Sequence, residues 1–302
     1  MEQLLSIALL PVVLLCYFIY QKDANKEPSE LLKRLFGYGC LTVIPVIFLE
    51  ILLSIFFPTS EVTDFMMLFI NVFVSVALVE EGFKWLVVKY IGFDNNEFDE
   101  IYDSIVYSVF VSLGFACIEN IKYVFLNGFA TGIIRALTAV PGHTSFGVIM
   151  GYFFAKAKVN QMNQNHGLYS QNMIFSLLIP SLLHSIYDTI ALYSYNAKSS
   201  VCMLLFYVFI IILFVCCFII VQKISKVQSN VSQNVSTGNI IYNQGTVSMN
   251  TSQINLEVIN QAAQTNSPQQ AFQSNSPNFC PICGKPAHGK NFCSFCGYRL
   301  KI

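Results

Sequence analysis

The chain has 302 residues, of which 54% are hydrophobic and only 11% are charged, and its formal net charge is zero. An ordinary soluble domain carries about 25% charged residues, so this composition argues against one. The zero charge also gives no indication of nucleic acid as a partner. Long apolar runs separated by short polar stretches indicate instead a protein embedded in a lipid bilayer, because about 18 apolar residues suffice for a spanning helix.

Seven apolar runs predict about seven spanning helices, so we expect an all-α, polytopic transmembrane bundle. The first run, 4–20, lacks the basic start and the cleavage site of a signal peptide, and we expect it to be retained. The runs 65–90 and 129–155 are long, and we expect them to tilt or break. The predicted spans are 4–20, 36–57, 65–90, 104–126, 129–155, 172–194 and 201–221.

Lysine and arginine residues concentrate in every second loop between these spans. The loop 21–34 contains four of them, whereas the charged residues of 58–64 are all acidic. Short cytoplasmic loops carry an excess of basic residues. We therefore expect a multi-pass protein of the cell membrane with its amino terminus outside and its carboxyl terminus in the cytoplasm.

The third predicted span carries three ionisable residues near its middle: Glu80, Glu81 and Lys84. Each charge at bilayer depth costs about 2.5 to 3.5 kcal/mol even on the mildest scale. The two glutamates precede the lysine by four and three residues, so ion pairs can form along one helix face. One interpretation is a salt bridge that only stabilises the bundle, and the other is a group of catalytic residues.

The fourth and fifth predicted spans also place ionisable residues within apolar sequence. Glu119 lies in the fourth span, and His143 lies in the fifth, ahead of Gly147 and Gly151. The two glycines predict a face of small residues for close helix packing. By itself, His143 is explained equally well by a structural hydrogen bond between helices.

The sixth predicted span contains His184 and Asp188, whose spacing of four residues puts both side chains on one helix face. This spacing is typical of two metal ligands, or of a histidine oriented by a carboxylate. Glu80 and both histidines fall near the middle of their spans, so they can share one layer of the bilayer. Carboxylates with two imidazoles suit Zn²⁺ or a similar divalent metal, with one carboxylate left as general base.

The carboxyl-terminal part differs in character from the predicted membrane domain, residues 1–226. Residues 227–277 are rich in Asn, Gln, Ser and Thr and are expected to form a polar linker. Residues 278–302 contain two Cys-x-x-Cys pairs, a spacing typical of a structural Zn²⁺ site that leaves no open position for catalysis. We therefore predict a cytoplasmic zinc ribbon, a candidate surface for a cytoplasmic protein, with the ligands Cys280, Cys283, Cys293 and Cys296.

The order of the intramembrane motifs resembles the PrsW family of intramembrane proteases, which is distantly related to the CAAX-prenyl and bacteriocin-processing proteases. The family pattern is Glu-Glu-x-x-Lys, Phe-x-x-x-Glu-Asn, a histidine helix and His-x-x-x-Asp, and it covers roughly residues 1–222. The matching residues are Glu80, Glu81, Lys84, Phe115, Glu119, Asn120, His143, His184 and Asp188.

The resemblance implies hydrolysis of a peptide bond in a membrane-anchored protein, with site-1 cleavage of an anti-sigma factor as the family role. We assign Glu80, Glu81 and Lys84 as candidate catalytic residues. The candidate ligands of an intramembrane metal are Glu119, His143, His184 and Asp188. Two alternatives stay open: an ion- or proton-coupled transporter, since buried acids and histidines also form proton relays, and a membrane sensor that signals through the zinc ribbon.

Overall fold

The structure, a computed structural model, describes residues 1–60, 62 and 64–236, with side chains up to residue 229. The predicted zinc ribbon and the predicted linker from residue 237 onward lie outside the described residues. Residues Met1–Gln228 form one compact unit.

The regular structure of the described residues is entirely helical. Within the described part of the chain, seven stretches are long and apolar enough to cross a membrane, and this confirms the predicted multi-pass bundle. The helices are α1 (Glu2–Lys22), α2 (Ser29–Ser54), α3 (Phe65–Phe93), α4 (Asp103–Asn127), α5 (Phe129–Leu137), α6 (Ala139–Met162), α7 (His166–Asn196) and α8 (Ser200–Ser236).

Most helices extend beyond the predicted spans because polar residues continue them outside the apolar part. The second span was predicted from residue 36, but α2 begins at Ser29 and includes the exposed pair of Glu30 and Lys33. Similarly, α7 begins at His166, where the Asn165 side chain accepts a hydrogen bond from the backbone N–H of Leu168 at 3.2 Å. Such a cap satisfies one of the free N–H groups of the first turn.

The two spans expected to tilt or break are both irregular. Helix α3 contains two π-helical segments, Phe73–Ala77 and Val88–Phe93, and the first of them ends three residues before Glu80. π-Helical turns within α-helices often occur at functional sites. The fifth span is divided at Thr138 into α5 and α6. Pro141 lies in the first turn of α6. A proline is tolerated there because the N–H groups of the first turn have no acceptor within the helix.

Helix α4 occupies the centre of the bundle and packs against α1, α2 and α6. Its approach to α2 is very close, because a Cβ atom at Gly39 would collide with the backbone oxygen of Val111. On the other side, a Cβ at Gly151 would lie 2.6 Å from the backbone oxygen of Ser104. The prediction that the glycines of the fifth span permit close packing is therefore confirmed.

The outer surface of the bundle is apolar. Ile44 and Phe48 of α2 and Leu204 of α8 are among many large hydrophobic side chains that are exposed. A soluble protein rarely exposes so much contiguous apolar surface. Together with the seven apolar spans, this surface identifies a multi-span membrane protein.

Candidate active site

Three charged side chains meet inside the bundle on one face of α3. Lys84 Nζ donates hydrogen bonds to Glu80 Oε2 at 3.1 Å and to Glu81 Oε1 at 2.7 Å. All three residues are buried, and Lys84 and Glu81 have no exposed surface. The ion pairs expected from the i,i+4 and i,i+3 spacing are therefore present. A buried pair of this kind is stable only when its remaining polar atoms also find partners.

The ammonium group of Lys84 also reaches two other helices. Its Nζ atom lies 3.2 Å from Nδ1 of His143 on α6 and 4.1 Å from the centre of the Phe115 ring on α4. A lysine ammonium has three hydrogens, so Glu80, Glu81 and His143 can accept one each. Lys84 thus connects α3 to α6, and the Phe115 ring adds a cation–π contact.

The other nitrogen of His143 contacts Glu119. His143 Nε2 lies 2.9 Å from Glu119 Oε2, and Arg135 Nη2 donates to the same carboxylate oxygen at 2.8 Å. Arg135 Nε also donates to Asn120 Oδ1 at 2.9 Å. Because a protonated Lys84 donates to Nδ1, the ring proton of a neutral His143 lies on Nε2 and is donated to Glu119.

His184 of α7 has a carboxylate at each ring nitrogen. Nδ1 lies 3.1 Å from Glu81 Oε1, and Nε2 lies 3.3 Å from Asp188 Oδ2. The Phe146 ring stacks on the imidazole with 4.8 Å between ring centres. These three contacts fix the ring orientation, as carboxylate partners commonly do for catalytic and metal-bound histidines.

A cavity of about 540 Å³ lies beside this network. Glu119 and Asp188, which contact Nε2 of the two histidines, line the cavity. Glu81 and Lys84, which contact Nδ1, lie behind the cavity wall. The Nε2 atoms are thus on the cavity side of the imidazoles. The acidic, basic and histidine side chains that line the cavity are Glu50, Glu80, Glu119, Lys122, Arg135, His143, His184 and Asp188.

Every predicted intramembrane site residue belongs to this cavity or to the network behind it. Of the three candidate catalytic residues, only Glu80 reaches the cavity. Sequence reasoning did not identify Arg135 or Glu50. The sequence contained a signal for each of them. Glu50 is a single carboxylate within the apolar second span, and Arg135 is a single arginine near the start of the fifth span.

The donor set fits a divalent metal ion of the zinc type. One potential ligand atom each of Glu80, His143 and His184 lies within 4.8 Å of the other two. Two imidazoles and a carboxylate are a common set of zinc ligands. Glu119 and Asp188 offer further carboxylate oxygens, the first beside Nε2 of His143 and the second beside Nε2 of His184. An ion at His143 Nε2 would replace the proton on that nitrogen, so its binding would release a proton.

Known proteins share most of this membrane domain. The sequence profile of the PrsW family of intramembrane metalloproteases matches residues 27–217. The protease PrsW of Oceanobacillus iheyensis is 39% identical over 190 residues, which cover 63% of this chain and 83% of that protein. The protease PrsW of Geobacillus kaustophilus is 40% identical over 197 residues, or 64% and 81% of the two chains.

A third relative, the protease PrsW of Bacillus subtilis, is 35% identical over 179 residues, which cover 59% of this chain and 78% of that protein. No solved structure matches the chain significantly. The profile spans more than half of the chain and includes every residue of the network around Lys84. The chain is therefore a protease and belongs to the PrsW family of intramembrane metalloproteases.

Proposed function

We propose that this protease hydrolyses a peptide bond of a membrane-anchored regulatory protein, such as an anti-sigma factor, inside the cavity that α2, α3, α4, α6 and α7 line. The observation that carries the proposal is the meeting of Glu80, His143 and His184 within 4.8 Å at a cavity inside an apolar bundle. Ionisable groups inside a membrane are energetically costly and rare, so their presence supports a functional site.

His143 and His184 would hold the metal ion through Nε2, with Glu119 and Asp188 as the carboxylates nearest to those nitrogens. When bound, such an ion polarises the scissile carbonyl and lowers the pKa of water to about 7. Arg135 holds Glu119 in place by a hydrogen bond of 2.8 Å. Glu81 holds His184 from behind and keeps its Nε2 directed to the cavity.

Glu80 is the best candidate for the general base because it is the α3 carboxylate that reaches the cavity. It would accept a proton from the attacking water and pass it to the leaving amine. Lys84 fixes one oxygen of Glu80 and balances its negative charge, which leaves the other oxygen available for proton transfer. Lys84 and Glu81 therefore act by positioning, from behind the cavity wall.

The test compares Glu80→Gln with the wild type. A general base contributes about 10²- to 10⁴-fold, so we expect cleavage to fall at least about 100-fold while the protein inserts and accumulates normally. Comparative membrane proteomics of the two strains should reveal a protein that is shortened only in the wild type. Glu30→Gln is the matched control, since Glu30 is also paired with a lysine, at 2.9 Å, but on the surface.

The metal content of the variants distinguishes a general base from a metal ligand at Glu80. Glu80→Gln should retain the intramembrane metal if Glu80 is the base, whereas His184→Ala should lose it. Normal cleavage by Glu80→Gln would refute the proposal. The transporter and sensor alternatives are not favoured, because the relatives are proteases.

We further propose the orientation indicated by the basic loops, with the amino terminus outside and the carboxyl terminus in the cytoplasm. In that orientation the carboxyl-terminal ribbon would hold a structural zinc ion in the reducing cytoplasm through four thiolates. It would be available there to a cytoplasmic protein. Metal analysis of a peptide covering 278–302 tests the zinc, and a peptide without zinc would remove this part of the proposal.

A further inference from the structure

Two loops carry buried and half-buried acidic side chains that the proposed peptidase site does not use. Asp23 follows α1, and Glu100 and Asp103 lie where the loop after α3 joins α4. One oxygen from each of these three carboxylates lies within 4.8 Å of the other two. A second trio, formed by Glu27, Asp99 and Asp103, meets the same condition, so Asp103 belongs to both.

Carboxylate oxygens in the first trio have no hydrogen-bond donor among the described residues. Asp103 Oδ2 accepts from the backbone N–H of Glu100 at 2.7 Å, whereas its buried Oδ1 has no donor there, and the carboxylate of Glu27 lies beside Asp103. Glu100 Oε1 accepts from the amide of Asn25, whereas its buried Oε2 has no donor in the described part of the chain. Neither oxygen of Asp23 accepts a hydrogen bond of ordinary geometry from the described residues, although the backbone amides of Asn25 and Glu27 lie nearby.

Burial makes these unpartnered oxygens significant. Asp23 is 4% exposed and Asp103 is fully buried, and an isolated buried carboxylate is strongly unfavourable. Burial raises the pKa of Asp23 to about 6 and that of Glu100 to about 7. The nearby ammonium of Lys26 donates to the backbone oxygen of Asp23 at 2.8 Å rather than to its carboxylate. A cation between the carboxylates would supply the missing charge.

We propose that Asp23, Glu100 and Asp103 form a binding site for a hard divalent cation that joins the loop after α1 to the loop before α4. An all-oxygen set of carboxylates suits Ca²⁺ or Mg²⁺ rather than a metal that prefers nitrogen or sulfur. Burial of the ligands favours Ca²⁺, since Mg²⁺ gives up its water reluctantly. The site shares no residue with the proteolytic cavity and does not depend on the proposed function.

The experiment uses the full chain, purified in detergent and stripped of metal with a chelator. Terbium(III) is titrated at about pH 8, above the raised pKa values of Asp23 and Glu100, so that protons compete less with the metal. Tyr107 donates a hydrogen bond to Glu27 at 2.6 Å and can transfer excitation to a bound lanthanide. We expect saturable terbium emission that Ca²⁺ displaces, and a rise in Tm of roughly 5 °C with saturating Ca²⁺.

Variants locate the binding. Asp23→Asn should weaken terbium binding at least about 10-fold, because it removes one ligand charge but keeps the shape of the side chain and an oxygen that faces the backbone amides of Asn25 and Glu27. Asp94→Asn is the control, since Asp94 lies on the same loop but is paired with Lys89 at 2.7 Å. Asp103→Asn should have the larger effect, and if it accumulates poorly, Asp23→Asn decides the matter.

A control titration distinguishes this site from the intramembrane site. Terbium binding should persist in the double variant His143→Ala, His184→Ala. Displacement by Mg²⁺ at least as readily as by Ca²⁺ would assign the site to Mg²⁺ and support a hard cation. Emission that is not saturable, or that is equal in Asp23→Asn and the wild type, would overturn the proposal.

Discussion

Replacement of Lys84 by methionine would remove the cation that holds the centre of the site together. Lys84 Nζ is 3.1 Å from Glu80 Oε2, 2.7 Å from Glu81 Oε1 and 3.2 Å from His143 Nδ1. Methionine has a similar length and fills the space, so the variant changes charge and hydrogen bonding more than packing. It leaves two buried carboxylates without their ammonium partner.

The magnitude follows from the burial of the pair. Removal of one partner of a buried ion pair costs about 3 to 5 kcal/mol, because the other charge remains desolvated and unbalanced. For a domain of this size that loss corresponds to a fall in Tm of roughly 6 to 20 °C. The double variant Lys84→Met, Glu81→Gln has one unbalanced buried charge fewer than Lys84→Met. It should therefore be more stable than Lys84→Met.

Thermal unfolding of the purified variants in one detergent provides the assay. Lys33→Met is the matched control, because Lys33 forms the same kind of i,i+3 pair with Glu30 at 2.9 Å, but both side chains are largely exposed. We expect this control to unfold like the wild type. If Lys84→Met also unfolded like the wild type, or if the double variant were the less stable one, the reasoning on the buried network would be wrong.

Three further predictions concern activity, packing and orientation. Arg135→Lys keeps the charge but loses the paired hydrogen bonds of the guanidinium, so cleavage should fall roughly 10- to 100-fold at normal accumulation; unchanged cleavage would contradict a positioning role. Gly39→Ala should lower Tm because its Cβ would collide with α4, whereas Gly37→Ala has open space and should be neutral or slightly stabilising. In a cysteine-free background, an impermeant thiol reagent added to cells should label Lys198→Cys and not Gln164→Cys, and the reverse pattern would invert the topology.

Much of the architecture was predictable because the bilayer imposes simple rules. A spanning helix must be apolar over a fixed length, so hydropathy predicted all seven spans. The contacts of Lys84 with the two glutamates of its own helix followed from helical spacing alone. The meeting of the two histidines, whose ring centres are 5.4 Å apart, was predictable because both lie near the middle of their spans.

Contacts between helices were not predictable in this way, because packing rather than spacing decides them. Arg135 of the short helix α5 donates a hydrogen bond to Glu119 of α4, and no spacing in the sequence indicated this contact. Similarly, nothing in the spacing of the acidic residues around Asp103 indicated that Asp23 lies beside them.

The burial of the site residues limits the form in which a polypeptide can reach them. Glu80 and His143 are 5% exposed and His184 is 3% exposed. In an α-helix each carbonyl oxygen is hydrogen-bonded to an N–H four residues further on, and the side chains surround the backbone to a diameter of about 10 to 12 Å. A transmembrane segment is therefore expected to fray or bend where it meets the enzyme, so that a backbone carbonyl can contact the buried site. Glycine, proline or other weak helix formers near the cleaved bond would favour a substrate over its neighbours.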